Sequence, residues 1–186
     1  MRQRRYEIIR KPELEGSSFL FDNVLVRYVG SCPETGISFY CSNGNGEAVG
    51  VRVYPAGRKV SEKASGVKLG KPYAHGKAEY LQFKHAFGGE KSILVSHAVY
   101  LAWSGKPIPP GHQIHHLNGI TTDNRFDNLV CLSISEHRRY DTVQRSLRMA
   151  GRLNKMTSAE ILEVTKQHIL LQYDPMEYDM THHCEC

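Results

Sequence analysis

The sequence predicts an α+β fold in which a β-rich N-terminal region precedes a strand–loop–strand–helix unit and C-terminal helices. In the first part, β-branched and aromatic runs alternate with Asn-Gly and Gly-Gly turns, which is typical of antiparallel hairpins. In the second part, the short run 112–116 is separated by a polar loop from a second apolar run at 129–132. A capping-box pattern, Ser133-x-x-Glu136, then opens a segment with helical apolar spacing. Together these patterns favour a β-rich N-terminal region followed by a ββα unit.

The N-terminal region contains five strands that we predict from their β-branched, aromatic and apolar content. They cover residues 24–29, 37–41, 48–54, 79–83 and 92–95. Residues 59–77 are rich in Lys, Gly and Ser, and this surface loop or hairpin is either a DNA-backbone contact or a solvated linker. A short helix is expected over 96–103, capped by Ser96 and ended by Gly105.

Two adjacent histidines end the run 112–116. Pro109-Pro110-Gly111 is a turn signal in front of this run. Because neighbouring strand residues point to opposite faces, His115 and His116 cannot perform the same task. One can bind a metal ion while the other faces a substrate.

The helix after Ser133 carries a second set of polar residues. His137 falls in its first turn, and Asp141 lies four residues later on the same helical face. The apolar stripe of the helix is formed by four other residues, Tyr140, Val143, Leu147 and Ala150. The helix therefore places a histidine and a carboxylate together, away from its buried side.

Arginines continue from this face towards the end of the helix. Guanidinium groups bind phosphates in bidentate fashion, so the stripe suits a nucleic-acid backbone, although a solvated helix face has the same pattern. The candidate DNA-binding residues are Arg138, Arg145, Arg148 and Arg152.

The spacing His116, Asn128, His137 resembles the HNH nuclease family, also called the ββα-metal or His-Me finger nucleases. The resemblance covers about 93–141, and it is most similar to phage or intron-encoded homing-type members. The His-His doublet, the Asn-Gly turn, Asp123-Asn124-Arg125 and Glu136-His137 all contribute to it. The family implies cleavage of DNA phosphodiester bonds with a bound divalent metal ion.

The resemblance also assigns roles to single residues. It implies that His116 is the general base, that His115 and His137 are metal ligands, and that Asn128 ties the loop and helps to orient the base. Some members carry a third ligand, usually histidine, where this chain has Asp141. The catalytic candidates are therefore His115, His116, Asn128 and His137.

One divalent metal ion is the expected cofactor. A carboxylate suits Mg²⁺ or Mn²⁺, whereas two imidazoles shift the preference towards Mn²⁺, Ni²⁺ or Zn²⁺. Many homing members have Asp or Asn where this chain has His115 and His137. The sequence therefore leaves the identity of the metal and the role of Asp141 open.

The charge distribution suits a polyanionic partner. The net charge is +5, but residues from Met156 onward hold six acids and one base, so the preceding part is strongly basic. Five scattered cysteines without a C-x-x-C pair favour a reducing compartment. With no apolar run long enough to span a bilayer and no signal peptide, we expect a cytoplasmic protein, in the host cell if it is phage-encoded.

We divide the chain into a β-rich region at 1–90 with possible DNA contacts, the HNH unit at 91–150, and a C-terminal helix with an acidic tail at 151–186. The helix is expected to open at Thr157, with Glu160 three residues on. One site per chain predicts a monomer or weak homodimer that nicks DNA. Two alternatives stay open, namely a DNA-binding module that does not cleave and a structural metal-binding domain of the same fold.

Overall fold

In the computed structural model, residues 8–44, 48–55, 71–75 and 78–171 are described. The fold is α+β, as predicted, with nine strands and three α-helices in this part of the chain. None of these helices is long and apolar enough to cross a membrane. The tail after residue 171 and most of the basic segment 59–77 lie outside the described residues, so their predicted roles stay predictions.

The first sheet is antiparallel, with the strands in sequence order. Its strands are β1 (Ser18–Phe21), β2 (Val24–Ser31), β3 (Ser38–Cys41) and β4 (Gly50–Val53). The turn between β1 and β2 consists of Asp22 and Asn23, both at positive φ, a conformation that these two residue types tolerate in tight hairpins. Strands β3 and β4 pair antiparallel, which agrees with a hairpin between the predicted strands 37–41 and 48–54.

A smaller sheet follows. It contains β5 (Lys71–His75), β6 (Ala78–Phe83) and β7 (Ile93–Leu94), all antiparallel. Strand β7 leads directly into α1 (Val95–Ser104). The predicted cap at Ser96 is wrong, because α1 starts one residue earlier, with Leu94 at the N-cap and no side-chain capping bond. The predicted end is confirmed, since Gly105 is left-handed with φ of 69°.

The ββα unit consists of β8 (His112–His116), β9 (Leu129–Ser133) and α2 (Ile134–Met149). Strands β8 and β9 pair antiparallel, with His116 opposite Leu129 and His112 opposite Ser133. Tyr140, Val143 and Leu147 of α2 are buried as predicted, but Ala150 is exposed because it caps the C-terminus instead of continuing the stripe. Helix α3 (Ser158–Leu171) packs against α2 through Ile161.

One hydrophobic core joins the N-terminal sheets to the ββα unit. Helix α1 packs against β2, β3 and β6, and also contacts β8 and β9. The rings of Phe39 and Phe83 pack in a tilted arrangement with centroids 5.2 Å apart, and both residues lie in one buried cluster with Val99 and Leu129. The ββα unit therefore packs on the sheets that precede it in the chain.

Candidate metal centre

Three of the predicted residues meet between β8 and the first two turns of α2. His115 Nδ1 lies 3.3 Å from His137 Nε2, and His137 Nδ1 lies 3.1 Å from Asp141 Oδ2. His115 Nδ1 is also 3.6 Å from Asp141 Oδ1. One ligand atom from each of the three residues can be chosen so that all lie within 4.8 Å of one another. The sequence placed His137 and Asp141 on one helical face, and the structure turns this face towards β8.

This group fits a divalent metal ion. Two imidazole nitrogens that bind one tetrahedral cation at about 2.0–2.1 Å lie roughly 3.3 Å apart, which matches the separation between His115 and His137. Without a cation, the same separation allows an N–H···N hydrogen bond. The remaining nitrogen of His115, Nε2, is buried and has no hydrogen-bond partner among the described residues. The ring is held instead by its edge-on contact with Tyr140 at 5.7 Å.

Electrostatics keep the His115 ring neutral at neutral pH. Burial is the main cause that lowers its pKa to about 4, and the nearby His137 lowers it further, while Asp141 acts in the opposite direction. A metal ion binds the neutral imidazole, so protonation does not compete with binding near pH 7.

His116 has a different environment from this group and different hydrogen-bond partners. It is 5% exposed, and its ring nitrogen Nε2 lies 3.1 Å from the side-chain oxygen of Asn124. Burial lowers the pKa of His116, while the bond to Asn124 and the charge of Asp123 oppose that effect. Its backbone carbonyl accepts a 2.9 Å bond from the buried side chain of Gln144.

Asn128 ties the loop between β8 and β9. It is fully buried, and its Oδ1 accepts bonds from the backbone N–H of Asn118 and from the hydroxyl of Ser158. Its Nδ2 donates to Asn118 Oδ1 and to the backbone carbonyl of Asp123. The loop-tying part of its expected role agrees with these bonds. Asn128 does not bond the His116 ring, and the partner that orients this ring is Asn124.

The sequence alone does not identify Asn124 and Gln144 as functional residues. Asn124 belongs to the segment Asp123-Asn124-Arg125, and no sequence pattern marks Gln144. Both act through tertiary contacts, because each reaches a residue that is 8 or 28 positions away in the chain. Their burial, at 4% and 5% exposure, is what marks them in the structure.

His115, His137 and Asp141 line one open cleft of about 250 Å³. Its wall includes Arg145 and Arg148 from α2, whereas Arg138 and Arg152 are exposed and are not part of the lining. The other lining residues are Tyr80, Ile114, His116, Gly119, Thr121 and Gln144. The cleft thus combines a metal-ligand group, a buried imidazole and cationic side chains.

Comparison with known families agrees with this arrangement. Residues 94–139 match the family model described as HNH endonuclease. This segment is an HNH unit. It includes α1, β8, β9 and the first turns of α2, and it ends before Asp141. The comparisons with curated proteins and with solved structures gave no significant match. The HNH unit indicates nuclease function and a divalent metal ion, and it implies DNA as substrate.

Proposed function

We propose that the chain is a metal-dependent endonuclease that hydrolyses DNA phosphodiester bonds in the cleft of its HNH unit. The observation that carries the proposal is that two groups of catalytic candidates lie side by side. The buried ring of His116 and the group formed by His115, His137 and Asp141 line one cleft, inside or next to the segment that matches the HNH family.

His116 would act as the general base. With Nε2–H donated to Asn124, the lone pair of the ring is on Nδ1. This nitrogen takes a proton from a water molecule, the water oxygen attacks phosphorus, and the bond to the 3′ oxygen breaks. The leaving oxygen takes a proton from solvent. The products then carry a 5′ phosphate and a 3′ hydroxyl.

His115 and His137 would hold the metal ion, with Asp141 as a third ligand. A divalent cation there would offset charge on the phosphate and on the departing oxygen. Two nitrogens and one carboxylate oxygen accept Mg²⁺ or Mn²⁺, and Zn²⁺ or Ni²⁺ are further candidates. The described residues contain a single such group. We therefore propose that one chain nicks one strand, as a monomer or weak homodimer.

Arg145 and Arg148 would bind the phosphates that flank the scissile bond, because they line the same cleft. Arg138 and Arg152 would contact DNA further from the cleavage site. A homing-type nuclease of a phage or mobile element, acting in the cytoplasm of its host, is the biological setting that we propose for this activity.

The experiment is nicking of supercoiled plasmid by the wild type, His116→Ala and His112→Ala, with Mg²⁺, Mn²⁺, Zn²⁺ or EDTA. His112 is a control on the same strand that does not line the cleft. We expect metal-dependent nicking by the wild type and His112→Ala, and loss of it in His116→Ala. Equal nicking by all three proteins would refute the base assignment. Metal and DNA binding without cleavage of DNA or RNA would indicate the non-cleaving module instead.

A further inference from the structure

Two residues that follow β3 of the first sheet touch the loop between β8 and β9, which contains Asn124 and Asn128. Asn43 and Gly44 follow Ser42, the first residue after β3, and they lie against the segment 124–126 of the HNH unit. The Oδ1 atom of Asn43 accepts a 3.1 Å bond from the backbone N–H of Phe126, 83 residues away in the chain. This contact joins the N-terminal sheet to the loop between β8 and β9.

Gly44 makes the closer approach. A Cβ atom at this position would lie 2.4 Å from the backbone oxygen of Asn124 and 2.9 Å from its carbonyl carbon. Both obstacles are backbone atoms, so no side-chain rotation could relieve the clash. With φ of 78°, Gly44 also has a conformation that other residues rarely adopt. The packing at this point therefore requires glycine.

The amide of Asn124 has a defined orientation. Its Nδ2 donates a 3.1 Å bond to the backbone carbonyl of Thr122, which can only accept. The Oδ1 atom therefore faces the His116 ring, and the ring nitrogen opposite it must carry the proton. This bond selects the Nε2–H form of the ring and leaves the lone pair on Nδ1.

The backbone around Asn124 is held on both sides. Asn128 Nδ2 donates a 2.8 Å bond to the carbonyl of Asp123, the residue before it. Asn43 binds the N–H of Phe126, two residues after it. Gly44 packs on the carbonyl of Asn124 itself. A shift of Asn43 and Gly44 would therefore move the group that fixes the His116 ring.

We propose that Asn43 and Gly44 form part of the active centre as positioning residues, and that they act through Asn124 to hold the His116 ring in its Nε2–H form. The importance of this ring for cleavage rests on the proposed function. The N-terminal sheet is then needed for the turnover of the HNH unit, and not only for its folding.

The first test compares Gly44→Ala with Gly16→Ala in the full chain. Both glycines have positive φ, but nothing lies within 4 Å of a Cβ at Gly16. The two variants therefore share the backbone cost and differ in the clash. We expect kcat for nicking to fall about 10–100-fold in Gly44→Ala, with KM little changed, and to stay near the wild-type value in Gly16→Ala. Equal kcat values in the two variants would refute the proposal.

The second test observes the ring directly. In metal-free, ¹⁵N-histidine-labelled protein, His116 should give two distinct ring ¹⁵N resonances, one protonated and one not. Asn124→Ala and Gly44→Ala should average these resonances as the two tautomers exchange, while Asn124→Asp keeps the acceptor and the separate signals. Unchanged His116 resonances in Asn124→Ala and Gly44→Ala would overturn the proposal.

If Gly44→Ala does not fold, Asn43→Ala and Asn43→Asp replace it, because aspartate keeps the acceptor for the Phe126 N–H. We then expect averaging and reduced kcat only in Asn43→Ala, and identical behaviour of the two variants would refute the proposal. If the wild type cleaves nothing, the proposed function fails. The His116 resonances would still decide whether Asn43, Gly44 and Asn124 fix this ring.

Discussion

His115 and His116 are neighbours in β8, and the alternation of the strand gives them different partners. His115 faces His137 and Asp141, whereas His116 faces Asn124. Both side chains are 5% exposed, and burial lowers the pKa of each. At neutral pH both rings are therefore neutral, as a metal ligand and a general base must be.

Among the single residues of the site, Asp141 has a role that one substitution can decide. Its carboxylate lies within 4 Å of both histidines, either as a metal ligand or as an ion-pair partner of His137. If it binds the metal, Asp141→Asn should weaken Mn²⁺ binding by about tenfold or more, as measured by calorimetry. Glu163→Gln removes the same charge from an exposed site on α3 and is the control. Equal affinities of the two variants would show that Asp141 is not a ligand.

Residue spacing predicted this group because its members share local geometry. His137 and Asp141 are four residues apart in one helix, and His115 belongs to the strand that pairs with the strand leading into that helix. Asn124 could not be predicted in the same way. Its side chain reaches His116 only because the loop folds back, and this path depends on Asn128 and Asn43.

At the scale of the elements, helix α2, which carries His137 and Asp141, follows strand β9 without an intervening loop. Ser133 is both the last residue of β9 and the N-cap of α2. Its backbone N–H donates a 2.8 Å bond to Glu136 Oε2, and its hydroxyl oxygen accepts from the N–H of Glu136. This capping box, which the sequence predicted, fixes the first turn and so the direction of His137.

A matched pair of capping boxes allows the effect of this cap on the metal site to be measured. Thr157 and Glu160 form the same arrangement at α3. Ser133→Ala and Thr157→Ala should each lower the free energy of unfolding by about 1 kcal/mol. We expect only Ser133→Ala to weaken Mn²⁺ binding as well, because only this cap precedes a candidate ligand. Chemical denaturation and calorimetry measure the two effects, and equal metal affinity in both variants would refute the coupling.

The arginines of α2 allow a separate prediction about DNA binding. Arg145 lines the cleft, so Arg145→Gln should weaken DNA binding and reduce the slope of log K against log salt by about one. Lys166→Gln removes the same charge from an exposed position on α3. Binding titrations at several salt concentrations distinguish the two variants. The same loss of slope in both would mean that overall charge, and not a contact in the cleft, attracts the DNA.

At the scale of the whole molecule, the boundary at residue 90 is drawn from a change in sequence pattern. The hydrophobic core contains residues from both sides of this boundary. Phe39 and Phe83 pack in one cluster with Val99 of α1 and Leu129 of β9. Strand and helix patterns predicted these elements, but apolar periodicity does not specify which buried faces meet. The α+β class could therefore be predicted, whereas the attachment of the HNH unit to the N-terminal sheets could not.

Two histidines whose pKa values are lowered by burial make folding sensitive to acid. Burial is the main cause that lowers the pKa of His97 in α1 to about 4, as it does for His115. In the unfolded chain both histidines bind a proton below about pH 6.5. Between pH 6.5 and 4 the unfolded state therefore binds more protons, and stability falls as the pH falls. Each histidine should contribute a loss of roughly 2 kcal/mol at pH 5 relative to neutral pH.

Urea denaturation in EDTA at pH 7.5, 6 and 5 measures this loss, and His97→Gln separates the two contributions. The variant lacks one of the groups that must bind a proton on unfolding, so its stability should decrease with acid less steeply than that of the wild type. His85→Asn is the control, because His85 is exposed and asparagine tolerates its positive φ. If His97→Gln and His85→Asn show the wild-type slope, His97 binds protons equally in the folded and unfolded states, and the acid sensitivity must come from groups outside α1.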